Sequence, residues 1–115
     1  MANGDKFITL NERIKKFCID RDWSQFHDPK NLAISLQLEA SEVLELFQWT
    51  KDNQAKEGRS EDIKDELADV LYWLLMLANH YDIDLLSALE NKMDKNEAKY
   101  PIEKSKGKSN KYTEL

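Results

Sequence analysis

The residues best suited to chemistry in this chain are four carboxylates in two pairs. Glu39 and Glu42 stand three residues apart in LQLEASEVLELFQW, and Glu66 and Asp69 stand three apart at the head of ELADVLYWLLMLANH. Both stretches read as apolar helices, and residues at i and i+3 share one helix face with Cβ atoms about 5–6 Å apart. A charge at the edge of an apolar run is costly unless something compensates it. Four carboxylates gathered at one place repel, and do not all ionise without a counter-charge. Hard oxygen ligands without His or Cys select Mg²⁺, Mn²⁺ or Ca²⁺ over zinc. Mg²⁺ keeps waters and takes substrate phosphates as its remaining ligands, which points to phosphate ester or anhydride chemistry. A lone Glu-x-x-Glu is common on solvated helices, but Asp69 is set among Leu67, Ala68, Val70 and Leu71. Glu45 reads as a surface residue. A di-iron carboxylate bundle needs Glu-x-x-His, and neither His27 nor His80 stands three residues after a Glu.

If the two helices pack antiparallel, which a short loop favours, the pairs can converge. The 115 residues make one domain, 1–115, with room for a modest core. Three Gly and two Pro suit long helices rather than a sheet with many tight turns. A first helix begins near Thr9, where Thr9-x-x-Glu12 matches a capping box, leaving about 1–6 loosely ordered. Phe7, Leu10, Ile14, Phe17 and Cys18 form its apolar stripe, with Arg13, Lys15, Lys16 and Arg21 on the other side. The connection RDWSQFHDPKN is polar yet carries Trp23, Phe26 and His27. Asp28-Pro29 starts a second helix reaching about Thr50, and 51–59 is a polar loop. Ser60, Glu61 and Asp62 open a third helix to about His80. Asp84 caps a fourth through Leu85, Leu86, Leu89 and Met93 to about Tyr100, and 103–115 forms a loosely ordered tail. The fold class is therefore all-α: a four-helix bundle with a short N-terminal segment and an irregular C-terminal tail. Ile34, Leu38, Leu44 and Trp49 widen the apolar arc of the second helix beyond one face, which implies a homo-oligomer.

Charge and composition exclude several classes. The net charge is −5, but residues 28–90 carry 14 acids against 5 bases, net −9, while 91–115 carry 7 Lys against 4 acids, net +3. The acidic middle is a poor surface for a nucleic-acid duplex. No run approaches the ~20 apolar residues of a membrane span, and no signal-peptide pattern opens the chain. A single Cys18 makes no internal disulfide and no Cys-rich metal site. A soluble cytoplasmic protein is expected. His80 reads as structural, and Met76 and Met93 as gap-fillers.

The pattern Glu39-x-x-Glu42, 23 intervening residues, then Glu66-x-x-Asp69 resembles the metal signature of the MazG-like, all-α nucleoside triphosphate pyrophosphohydrolases. Through RDWSQFHDPKNL, EASEVLELFQW, DELADVLYWL, KMDKNEAKYP and KYTEL it is most similar to their dCTP pyrophosphatase branch. The resemblance covers most of the chain from about Thr9 onward. It implies that Glu39, Glu42, Glu66 and Asp69 bind Mg²⁺, with Mn²⁺ as a substitute, and that one glutamate polarises the attacking water. It implies that Trp23, His27 and Trp49 shape the base pocket with Asn31 at its edge. Trp73 takes a position where the branch has Tyr. Lys92, Asn96 and Lys99 would lie toward the phosphates, and Lys111 and Tyr112 would close over the site. The implied assembly is a homotetramer, a dimer of dimers with sites near subunit interfaces.

Residue chemistry alone agrees on a division of labour. Aromatic planes stack any base, so discrimination needs edge hydrogen bonds, for which His27 and Asn31 are candidates. The expected reaction is Mg²⁺-dependent hydrolysis of a (deoxy)nucleoside triphosphate, dCTP or a related dNTP, to monophosphate and pyrophosphate, cleansing the nucleotide pool. One alternative is a non-catalytic helical dimerisation or adaptor module whose acids serve solubility. Another keeps the fold but acts on dUTP or a modified nucleotide.

Overall fold

The structure is a computed structural model that describes residues 2–51 and 58–115, with only the backbone of 2 and 3. Every regular element among them is helical: α1 (Ala2–Asp20), α2 (Pro29–Glu45), α3 (Ser60–His80), α4 (Leu85–Lys99) and α5 (Ile102–Ser105). Two 3-10 turns cover Ser24–Phe26 and Tyr112–Glu114. The chain resolves into two compact units, Met1–Asp82 and Ile83–Leu115.

In the first unit α2 packs along α3, and α1 lies against α3. The direction of α1 follows from its side chains. Asn11 exchanges two amide hydrogen bonds with Asn79 at 2.9 and 2.8 Å. Seven residues on, Cys18 lies 3.4 Å from the Tyr72 hydroxyl and donates to Met76 Sδ at 3.7 Å. Ascending α1 therefore means descending α3, and the two run antiparallel. Cys18, Leu32 and Met76 form the buried core, with Ile14, Tyr72, Trp73 and Leu77 packed on it. Beyond these only Leu75 and Ala78 are buried hydrophobics among the described residues.

Helix starts follow local chemistry. The Asp28 side chain accepts from the backbone N–H of Asn31 and is followed by Pro29 at the first helical position. That acid-then-proline arrangement satisfies one orphan N–H and presets φ. Asp84 likewise accepts from the N–H groups of Leu86 and Ser87 to open α4. Asp22 and Asp82 take left-handed φ values of 55° and 54° just past α1 and α3, the usual way a helix end is turned off.

Four expectations are corrected. α1 begins at Ala2, not Thr9, so Thr9 lies inside the helix and caps nothing. The segment expected to be loose is helical from residue 2. α2 ends at Glu45, ahead of Thr50: Leu46–Trp49 continue as turns, and Trp49 adopts φ 66°. A bulky side chain there costs about 1–3 kcal/mol unless its surroundings hold it. The tail is not irregular throughout, since α5 and the Tyr112 turn lie in it and Tyr112 sets its ring edge-on to Tyr100 at 6.1 Å. Residues 52–57, most of the expected polar loop, lie outside the described residues.

Candidate functional site

Three of the four acids converge, and the fourth stands apart. Glu39 and Glu42 on α2 and Glu66 on α3 each offer an oxygen within 4.8 Å of the others. Such proximity follows from i, i+3 pairs on two helices packed side by side. Glu39 Oε2 and Glu66 Oε2 are buried with no hydrogen-bond partner. Burial, then a hydrogen bond and repulsion from Glu42, then the charge of Asp69, push Glu39 up to about 7. Glu66 is raised as well, chiefly by its contact with Glu42 and by burial. Buried acceptors without partners, in a cluster whose carboxyls are raised by one another, suit a cation. An all-oxygen donor set suits a hard divalent ion, so the residues present fit the expected metal.

Asp69 stands outside the trio. It is exposed, and its charge raises both Glu39 and Glu66. With Glu39 it lines a cavity of about 550 Å³, walled otherwise by Leu10, Arg13, Ile14 and Phe17 of α1, by Trp23, and by Tyr72 and Trp73. Phe17 is the hub of the aromatic wall, edge-on to Trp23 at 5.5 Å and to Tyr72 at 6.3 Å. Tyr72 meets Trp73 at 5.1 Å. Burial and the thiol of Cys18 raise the Tyr72 hydroxyl, keeping it protonated. A polar recess of about 380 Å³ opens where Glu42 and Glu66 meet Glu45, Arg59 and Asp62. Glu45 is thus exposed, as expected, yet borders the carboxylates. Arg59 is engaged by Asp62 at 2.8 Å.

The expected binding residues divide. Trp23 and Trp73 line the cavity that Glu39 and Asp69 share. His27 lines a separate cavity of about 410 Å³ with Cys18, Met76 and Asn79, and reaches the first only through its ring, edge-on to Trp73 at 5.9 Å. Asn31 is occupied by the start of α2, its amide donating to Asp28 Oδ2 at 3.1 Å and to the Phe26 carbonyl at 3.3 Å. Trp49 is 89% exposed and lines none of these cavities. Lys92, Asn96 and Lys99 follow one another at helical spacing on α4, in the second unit. There the Lys99 ammonium sits 4.8 Å from the centre of the Tyr112 ring. Tyr72, Phe17 and Arg13 are cavity residues that their sequence positions assigned to core or solvent. For Arg13 a signal existed: it stands three residues after Leu10 and four before Phe17, and so shares their face.

The sequence family described as the MazG-like family matches residues 34–115. The chain is 42% identical over 107 residues to dCTP pyrophosphatase 1 of Rattus norvegicus, covering 87% of this chain and 62% of that protein. It is 42% identical over 105 residues to dCTP pyrophosphatase 1 of Homo sapiens, with the same coverage. The chain thus spans 62% of the length of these curated relatives. It superposes on a crystal structure of a pyrophosphatase from Archaeoglobus fulgidus with a TM-score of 0.78 at 39% identity, covering 84% of this chain and 93% of that one.

Proposed function

We propose that this chain, which belongs to the MazG-like family, hydrolyses (deoxy)nucleoside triphosphates, dCTP or a related dNTP foremost, to monophosphate and pyrophosphate. One observation carries the proposal: Glu39, Glu42 and Glu66 converge within 4.8 Å, and Glu39 also opens onto a cavity walled by aromatic rings. Acid oxygens without partners attract a cation, and aromatic walls accept a base. The named activity of the relatives at 42% identity supports the same substrate class.

Glu39, Glu42, Glu66 and Asp69 would hold Mg²⁺, or Mn²⁺ in its place. When bound, such an ion offsets the charge of the phosphate oxygens and acidifies water. The chain's own groups do the remainder. One of the glutamates polarises the attacking water by accepting its proton. Trp23 and Trp73 hold the base by stacking, and the packed rings of Phe17 and Tyr72 exclude water from that end. His27 positions Trp73 through their edge-on contact. Asn31 is left with its side-chain oxygen for an edge contact. Lys92, Asn96 and Lys99 serve the phosphates. The fold is read as a four-helix bundle assembled as a homo-oligomer, a dimer of dimers, in which the exposed Trp49 meets the site of a neighbouring copy. Among the described residues no helix is long and apolar enough to cross a membrane, in keeping with a cytoplasmic role in cleansing the nucleotide pool.

The test is pyrophosphate release from natural and 5-modified dNTPs and NTPs, with Mg²⁺ and with EDTA. Release should be strongest for dCTP and vanish on chelation. Asp69→Asn and Glu42→Gln should each lower it by at least about 100-fold, because the metal's contribution is worth several kcal/mol. The uncovered apolar residues of α2 and α3 also suit a non-catalytic dimerisation module. That reading requires no release from any nucleotide and a melting temperature indifferent to Mg²⁺.

A further inference from the structure

The cavity beside Glu39 has a direction, and its far end holds a group that the proposed chemistry leaves unused. Because α1 and α3 run antiparallel, with Asn11 at Asn79 and Cys18 at Tyr72, ascending α3 from Asp69 means descending α1 toward Arg13. Asp69 and Arg13 both line the cavity, and the Phe17, Tyr72 and Trp73 rings stand between their levels. The neighbouring basic side chains of α1 are engaged locally. Lys15 pairs with Glu12, Lys16 with Asp20, and Arg21 lies 3.8 Å over the Phe17 ring while donating to the Phe17 carbonyl. Arg13 has no ion-pair or hydrogen-bond partner among the described residues, and it is the one cation lining this cavity.

We propose that Arg13 reads the pairing edge of the base and selects cytosine over uracil and thymine. The inference rests on the nucleotide reading of the cavity. Phosphates belong at the carboxylate end with the cation, and the base belongs among the rings, so the edge of the base looks toward Arg13. A guanidinium only donates, through a planar fork suited to two adjacent acceptors. Cytosine offers such a pair, since O2 and the unprotonated N3 are neighbours. Uracil and thymine carry a proton on N3, which sets donor against donor. A charged donor pointed at an acceptor the wrong base lacks is how a site rejects a close analogue strongly.

The experiment compares kcat/KM for dCTP, dUTP and dGTP in wild type, Arg13→Ala and Arg13→Lys, with melting temperatures of all three proteins. Arg13→Ala should cost dCTP roughly 10- to 100-fold more than dUTP, the scale of a charge-assisted hydrogen bond. Arg13→Lys keeps the charge but not the fork, and should leave the discrimination unrestored. Equal losses for dCTP and dUTP would assign Arg13 to the phosphates and overturn the proposal. Unchanged ratios in a stably folded variant overturn it too. A wild-type preference for dGTP that disappears in Arg13→Ala would move the fork to the O6/N7 edge of guanine and overturn the cytosine assignment. A wild type inert toward every nucleotide is a different failure, one that removes the nucleotide reading and Arg13's role together.

Discussion

Glu39 concentrates the conflict that the site is built around. Its proton affinity is lifted from 4.5 to about 7 by burial, by Glu42 and by Asp69. The unfolded chain releases the same proton near its ordinary value, so between these limits the folded state binds more protons. The stabilisation is complete below about 4.5 and is lost as pH rises through about 7. The metal-free protein should accordingly melt at a lower temperature at pH 8 than at pH 5.5. Mg²⁺ should raise the melting point more at pH 8, because cation and proton compete for the same oxygens. Glu39→Gln should flatten the metal-free slope, and a slope unaltered by that substitution would refute the assignment. Spacing alone was enough to put Glu39, Glu42 and Glu66 in one cluster, since i, i+3 on a helix is a geometric statement. It was not enough to separate Asp69 from the trio, because where an acid points across a helix pair depends on how the helices pack. Trp49 lies outside the cavities of a single copy for a backbone reason: the chain turns at Leu46, and its left-handed φ carries the ring off the face of α2.

At the scale of elements, boundaries set by side-chain chemistry were legible and those set by packing were not. Asp28-Pro29 and Asp84 open α2 and α4 where their capping carboxylates require. Asp28→Ala should cost about 1 kcal/mol in denaturant unfolding, the usual worth of such a cap. The capping-box match at Thr9 misled, because the same residues fit inside a helix that starts at Ala2. Arg13 was missed at this scale as well. An amphipathic helix assigns its edge positions only when a neighbour arrives, and Arg13 sits on that edge beside Leu10 and Phe17. Leu32, 2% exposed, ties the start of α2 to Cys18 and Met76. Leu32→Ala should destabilise by about 2–5 kcal/mol, read as a lower denaturation midpoint with little change in slope.

The molecule as a whole has fewer buried hydrophobics than its composition allows. Of the described residues only Cys18, Leu32, Leu75, Met76 and Ala78 are buried apolar side chains, whereas Leu38, Leu44, Leu67 and Leu71 of α2 and α3 stay exposed. So thin a core is marginal for a single copy. The all-round apolar pattern of the second helix had signalled a further surface to cover, and that surface is present. Leu38→Glu should lower the mass measured by light scattering to that of a smaller species and lower the melting temperature with it. Mass and melting point equal to wild type would leave that surface without a second copy. Sequence alone could not say what covers it, since apolarity records that burial occurs and not against what.

Cys18 offers a way to watch the aromatic cavity from inside. It is the one thiol of the chain, 4% exposed, and its sulfur lies 3.4 Å from the Tyr72 hydroxyl, on a ring that also walls the cavity. Nearly buried at the wall of the cavity it shares with His27, Met76 and Asn79, the sulfur should label slowly, at a rate set by how often its surroundings open. A nucleotide resting against Tyr72 should slow the labelling, giving occupancy a chemical signal independent of turnover.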